Sequence, residues 1–309
     1  MLHSTKLYSN TQIAAVLSGS DALTAMRAAH EAIYRGNAAV QARSRIALTD
    51  AKFSTMSAIL ATERVAAVKL YTTLAGQFRF YIALMSLDDG RMLALMEGDE
   101  LTRLRTAATT VLAATHLARA NSRWLGVAGC GVQARAHVEL FIESFGLEQV
   151  SVFAPDTDEA TAYAQSLRER FGINAHAASA EHAASADIVV LATRASTPVI
   201  HGVSLQPGSF VASIGATRPD QREMDDACIE RATEVVVDWT GQALAESGDF
   251  LLLHPAVLAS KKVADLADVV GSGRRRALDC LGVVVYKAVG NALQDAAIAA
   301  LAYARLNSN

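Results

Sequence analysis

Two rhythms of apolar positions divide the chain. From Ser122 onward, short apolar runs alternate with helical patterns: WLGVAG, VSVFA, ADIVVLAT, GSFVASIGA and TEVVVDW read as strands. Residues 132–145 and DTDEATAYAQSLRERF read as helices, and DDACIE as a short one. Near-continuous apolar strands separated by amphipathic helices suit a parallel sheet covered on both faces. Residues 1–120 follow a different pattern. An amphipathic helix is expected over DALTAMRAAHEAIYRG, followed by strand-rich STMSAILATERVAAVKLYTTL and FRFYIALMSLDDGRMLALME, with Asp-Asp-Gly as a hairpin signal. The closing segment LGVVVYKAVGNALQDAAIAALAYARL reads as one long apolar helix with no strand after it, packing back on the N-terminal region. The expected fold is α/β. A Rossmann-type doubly wound parallel sheet occupies 119–287, and residues 1–118 with 288–309 form a discontinuous antiparallel α+β domain.

Composition narrows the class. Hydrophobic residues make up 51% and charged residues 19% of 309, so a disordered chain is excluded. A formal charge of -3 gives no general field for phosphate backbones, and the one dense basic run, Arg274 to Arg276, reads as a solvated loop. Nucleic acid is therefore not an expected partner. No uncharged apolar stretch reaches the roughly 18 residues of a membrane span, and the N-terminus lacks a signal-peptide pattern, so a cytoplasmic location without membrane contact is expected. Cys130, Cys228 and Cys280 are widely spaced and form no CxxC pair, and His30 in HEAIY lacks the second histidine of a zinc motif. No metal is expected.

The stretch LGVAGCGVQARAH places Gly129, Gly131 and Ala134 as GxGxxA between a strand and a helix. Gly129 permits the tight turn, Gly131 lets a pyrophosphate approach the backbone, and Ala134 keeps helix and strand close. The helix N-terminus over Val132, Gln133, Ala134 and Arg135 then offers N–H groups to the phosphates. The end of the second strand, where an acid often bonds the ribose, is Ala154, and Asp156 two residues on reads equally as a helix cap with Glu159 reaching back. The missing acid favours NADPH over NADH, and Arg135 could receive the extra phosphate. The residues leave the choice open. Thr193, Ser213 and Gly215, at the ends of successive parallel strands, are further candidates for the cofactor.

Cations stand out in the first domain. Arg105 lies within the helical stripe Leu101, Leu104, Ala108, Val111, Leu112 and Thr115, whereas Arg103 falls about 200° away around the helix. A buried arginine needs an anion, either a structural carboxylate such as Glu97 or a ligand. Lys69 shares a strand face with Ala67 and Tyr71, and its alternative is a snorkelling lysine at an edge. With Arg45 in ARSRIAL, these side chains suggest a pocket for a small carboxylate.

At this point LTRLRTAATTVLAATHLAR, GVAGCGVQARAH, ADIVVLATRASTPVI, GSFVASIGATRPDQREMDD, GDFLL and YKAVGNALQD resemble the ornithine cyclodeaminase and mu-crystallin family. The resemblance covers nearly the whole chain, and RTAA at 105–108 followed by GCGVQA at 129–134 is far more specific than a bare glycine turn. It implies that Arg45, Lys69 and Arg105 hold a substrate carboxylate, and that the first domain also makes a homodimer. Cyclodeaminases and related alanine dehydrogenases carry an aspartate two residues after the glycine of IGATRPDQ, and Thr217 stands there in this chain. A hydroxyl cannot replace a carboxylate as base near neutral pH, though it can hydrogen-bond an imine nitrogen or a water. Asp220 is a substitute base or, more simply, a helix cap. The resemblance thus implies an NAD(P)H-dependent oxidoreductase acting on C=N bonds. Its expected substrate is a cyclic imino acid, with Δ1-pyrroline-2-carboxylate giving L-proline and the piperideine homologue giving pipecolate. The alternatives are an ornithine cyclodeaminase with another base, a non-catalytic NADPH- and ligand-binding protein, and an amino-acid dehydrogenase.

Overall fold

Period-two alternation in the first part of the chain builds an antiparallel sheet with one face covered. The computed structural model describes residues 5–308. Its first unit opens with β1 (Lys6–Tyr8), α1 (Asn10–Ala14) and α2 (Gly19–Tyr34), and continues with β2 (Ala38–Val40), β3 (Ser44–Leu48), β4 (Ala51–Leu60), β5 (Val65–Leu74), β6 (Gln77–Ser86) and β7 (Met92–Glu97). The strand order is β1-β7-β6-β5-β4-β2, with β3 also on β4, and every pair except β1 with β7 is antiparallel. Along β5, Val65, Ala67, Lys69 and Tyr71 are buried, while Ala66, Val68 and Leu70 are only partly so. Register carries the two faces across the sheet, since Lys69 stands opposite Met56 on β4 and Ile82 on β6. The other face carries Ile59, Leu70, Tyr81, Met85 and Leu95, each partly or largely exposed.

Helix α3 (Asp99–Leu117) follows, and the second unit then alternates strands with helices. These are β8 (Trp124–Ala128), α4 (Val132–Ser144), β9 (Gln149–Phe153), α5 (Thr157–Phe171), β10 (Asn174–Ala177), α6 (Ala180–Ala184), β11 (Ile188–Leu191), β12 (Phe210–Ser213), α7 (Asp226–Arg231), β13 (Ala232–Val237), α8 (Thr240–Glu246), α9 (Gly248–Leu251), α10 (Pro255–Ala259), β14 (Val263–Asp265), α11 (Leu266–Gly271) and β15 (Val283–Lys287). The sheet is parallel throughout, in the order β10-β9-β8-β11-β12-β15-β13-β14. Strand order reverses at β8, which lies between β9 and β11, and the crevice at such a point is where doubly wound sheets bind ligands. The predicted Rossmann-type sheet and antiparallel α+β unit are both present.

Gly126 shows how closely the layers pack. A Cβ there would lie 1.8 Å from the carbonyl oxygen of Ala183, so only glycine lets α6 lie on β8.

One sequence expectation is corrected. LGVVVYK is not the start of the last helix: Val283–Lys287 form β15, buried between β12 and β13, and only Ala292–Leu306 form the helix, α12. Three consecutive β-branched valines fit a doubly covered strand, and the left-handed Gly290 (φ 77) ends the extended run. Asn291 then caps α12 by accepting from Leu293 N–H. Helix α12 packs on α2, β4 and β5. By compactness the chain divides into residues up to Thr109 together with those from Gly290, and Thr110–Val289. Among the described residues, no helix is long and apolar enough to cross a membrane.

Candidate active site

Three cations converge in the first unit. Lys69 sits on the covered face of β5 because register puts it in the row of Ala67 and Tyr71, and its ammonium lies 4.6 Å from the Phe80 ring centroid. Nζ donates to Thr102 Oγ1 (2.6 Å) and to Asp295 Oδ1 (3.0 Å). Arg105, on the buried stripe of α3, donates from Nε to the same Asp295 oxygen (3.2 Å) and from Nη1 to Gln294 Oε1 (2.8 Å). It also lies close to Gly290, where an added Cβ would meet Nη1 at 2.8 Å. The structural partner of Arg105 is thus Asp295. Glu97, the carboxylate suggested by sequence, instead accepts the backbone N–H of Asn10 (2.8 Å).

Burial pulls the Lys69 ammonium down to about 8 against the opposing pull of Asp295, and the charges of Arg105 and Arg43 lower it further. For Asp295, burial alone would raise the carboxyl, but Lys69, Arg105 and Arg43 outweigh it and hold the group below the usual carboxylate range. Lys69 and Arg105 share one carboxylate oxygen between them, so the pair carries more positive charge than Asp295 balances.

Arg43 is a cation of this cluster that sequence reading passed over. Its Nη2 donates to Gly290 O (3.0 Å) and lies 3.7 Å from Met56 Sδ, opposite Lys69. Arg45 lies on β3 opposite Ser54, which in turn pairs with Tyr71, and is exposed. Two residues separate Tyr71 from Lys69, so the Arg45 position is about 7 Å further along the sheet. Asp295 and Gln294 were missed as well. The available signal was a carboxylate in a largely apolar helix.

In the second unit the residues fit a dinucleotide. Gly129 has φ 108, and a Cβ there would lie 2.7 Å from Ala192 O, so the turn admits only glycine. A Cβ at Gly131 would meet nothing within 4 Å, so the turn leaves open the side where a pyrophosphate would approach. Gly131 is the N-cap of α4 without a side-chain cap, and Val132 is exposed beside it. Ala134 is fully buried against the sheet. Arg135 lies over Tyr163, its guanidinium carbon 4.2 Å from the ring centroid, and Nε donates to Cys130 O (2.9 Å). Asp156 caps α5 by accepting from Asp158 N and Glu159 N.

The ends of β11 and β12 are fixed by a buried ion network that the sequence did not reveal. Glu223 accepts from Thr193 N (2.6 Å) and Oγ1 (2.8 Å), Ser213 Oγ (2.8 Å), Gly215 N (2.9 Å) and Ala216 N (3.2 Å). Lys287 donates to Asp249 (2.8 Å), Ser213 Oγ (2.9 Å) and Ala216 O (2.6 Å). Burial pushes the Asp249 carboxyl up, but the Lys287 charge together with hydrogen bonds from Lys287, Glu223 N–H and Ser213 outweighs this and leaves it lowered. The side chains of Thr193 and Ser213 are therefore engaged in holding the 215–217 turn, which carries the partly buried Thr217. Asp220 does not cap a helix: it pairs with Arg218 on an exposed turn, and α7 is capped by Asp225 through Cys228 N.

A parallel sheet with a glycine turn at its switch point, and beside it in sequence an antiparallel-rich unit, define the class of Rossmann-type α/β proteins with a second domain. The model of the ornithine cyclodeaminase/mu-crystallin family matches residues 4–309, and the chain belongs to that family. Ketimine reductase mu-crystallin of Rattus norvegicus is 33% identical over 222 residues, 72% of this chain and 68% of that protein. The crystal structure of a probable ornithine cyclodeaminase from Bordetella pertussis Tohama I has a TM-score of 0.93 and 40% identity, covering 98% of this chain and 97% of that one. The structure of Thermococcus litoralis Δ1-pyrroline-2-carboxylate reductase in complex with NADH and L-proline has a TM-score of 0.91 and 28% identity, covering 97% of each chain.

A carboxylate held by Lys69 would bind with a pH dependence set by the lowered ammonium. The ammonium must be protonated to attract an anion, so affinity should be constant below, and fall as pH rises through, about 8. Calorimetry with pyrrole-2-carboxylate, which keeps a single negative charge across this range, reads the effect. Lys69→Met should bind more weakly at neutral pH and lose the alkaline decline. An unchanged wild-type affinity into the alkaline range would remove Lys69 from the site.

Proposed function

We propose that the chain is an NAD(P)H-dependent reductase of cyclic imino acids, converting Δ1-pyrroline-2-carboxylate to L-proline and accepting the six-membered piperideine homologue. The observation that carries this reading is the buried cluster in which Lys69 and Arg105 share a single oxygen of Asp295, with Arg43 adding positive charge. Such a cluster attracts a small carboxylate and fixes its orientation, and positioning accounts for much of the rate when the acceptor is already electrophilic. A nicotinamide bound at the glycine turn supplies the hydride. Arg43, Lys69 and Arg105 hold the acid group. The likeness to a reductase solved with NADH and L-proline supports the same assignment.

An ornithine cyclodeaminase is the second reading, favoured by the likeness to the Bordetella protein. It needs a base at the 215–217 turn. Thr217 is a poor one, and Asp220 is paired with Arg218.

For the cofactor we favour NADPH. Ala154 puts no carboxylate at the end of β9, and Arg135 holds its guanidinium beside the turn. A homodimer is the assembly we favour, because the uncovered face of the antiparallel sheet presents Ile59, Leu70, Tyr81 and Met85, apolar surface that a second copy would bury.

Cyclic imino acids of five and six members should be reduced with NADPH oxidation followed at 340 nm, while ornithine with NAD should release no ammonia. Ammonia and proline from ornithine would instead establish the cyclodeaminase. Arg105→Ala should raise KM for the imine on the order of 100-fold, and Arg43→Ala about tenfold or more, with Arg45→Ala the mildest of the three. Replacing Arg135 by Ala should raise KM for NADPH about tenfold and leave NADH nearly unchanged; equal effects on both would remove the 2′-phosphate role. Sedimentation velocity should give a dimer, and Leu70→Glu should shift it to monomer.

A further inference from the structure

The Asp295 carboxylate is used on one side only. Oδ1 takes both Lys69 Nζ at 3.0 Å and Arg105 Nε at 3.2 Å, while Oδ2 is fully enclosed and has no hydrogen-bond partner among the described residues. The neighbouring Gln294 gives Oε1 to Arg105, and its Nε2 is likewise enclosed and unmet. Both side chains belong to the first turn and a quarter of α12, held in place by the Asn291 cap, and both are almost completely buried. A buried acceptor left unpaired costs about 1–3 kcal/mol, and more when it is charged. Sequestering a carboxylate and then serving one of its oxygens twice and the other not at all is poor design for a purely structural ion pair.

The unmet groups specify their complement. Lys69 and Arg105 call for an anion, and Asp295 Oδ2 calls for a donor within the same enclosed cluster. An amide or alcohol donor would satisfy the oxygen but not the cations. A carboxylate alone would satisfy the cations but not the oxygen. A protonated α-imino acid carries both features on one carbon, with a carboxylate attached to the carbon whose double-bonded nitrogen bears a hydrogen.

We propose that Asp295 Oδ2 accepts the iminium N–H of the substrate, so that Asp295 orients the C=N bond while Lys69 and Arg105 hold the adjoining carboxylate. This rests on the reductase reading above and specifies the protonation state of its substrate. The hydride forms a C–H bond at the iminium carbon, and the π pair of C=N becomes the lone pair of nitrogen. The nitrogen keeps its proton, the nicotinamide is oxidised, and no acid need donate in that step. Asp295 thereby supplies, from α12, a carboxylate for the nitrogen. Its lowered carboxyl keeps it ionised, which favours the charged iminium over the neutral imine. The same arrangement selects against 2-oxo acids, because a carbonyl oxygen would face a carboxylate oxygen with no hydrogen between them.

Two flat ring acids of nearly equal shape test this in the full-length protein: pyrrole-2-carboxylate, which presents an N–H, and furan-2-carboxylate, which presents an oxygen lone pair. Calorimetry should find the pyrrole acid at least about tenfold tighter in the wild type, and Asp295→Asn should bring the ratio close to one. A wild-type ratio near one, a ratio unchanged in the variant, or failure of both acids to bind overturns the assignment. Should Asp295→Asn fail to fold, a crystal structure of the wild type with pyrrole-2-carboxylate decides. Ring nitrogen within about 3.2 Å of Oδ2 supports the role, and nitrogen turned away from it overturns the role. Imine reduction is scored separately. Absent reduction with the ring preference intact sinks the reductase reading alone, whereas reduction with equal ring affinities sinks the Asp295 role alone.

Discussion

A buried carboxylate shared by two buried cations is the constraint on which the first unit depends. Asp295, Lys69 and Arg105 come from a C-terminal helix, a central strand and the helix after the sheet, and each would be prohibitively costly to bury alone. Together they tie the three elements at one point. The pairing has an excess of positive charge and, among the described residues, an unmet carboxylate oxygen. Helix α12 also sets the Asp295 charge in its first turn, where the helix dipole favours an anion.

A second buried network does comparable work in the parallel-sheet unit. Lys287 at the end of β15, Asp249 on α9 and Glu223 in the loop before α7 converge on Ser213 and on the backbone of the 215–217 turn. The Glu223 carboxylate alone takes three backbone N–H groups and two hydroxyls, which leaves that turn little freedom to move. Thr217 follows directly on this held segment.

Much of the fold was legible in the chain. The two apolar rhythms gave the parallel and antiparallel sheets, and GCGVQA marked the glycine turn between β8 and α4, since strand burial and tight turns are local demands that leave local patterns. The misreading of LGVVVYK has the same origin: a run of apolar residues with a helix behind it carries no period, and only its place between β12 and β13 made it a strand. In the candidate site, Lys69 and Arg105 could be singled out because a charge inside an apolar stripe is conspicuous. Arg43 could not be separated from Arg45, because two arginines two residues apart on an extended segment look alike until register and distance distinguish them.

The sequence by itself determined the elements, the glycine turn and the presence of cations that must find anions. The tertiary structure decided which anion they found. Asp295 is 226 residues from Lys69 and 190 from Arg105, so no spacing rule connects them. The same holds for Glu223, Asp249 and Lys287. Burial of charge is a long-range agreement between segments: each residue type can be read alone, but its partner, and the oxygen left without one, exist only once the chain has closed.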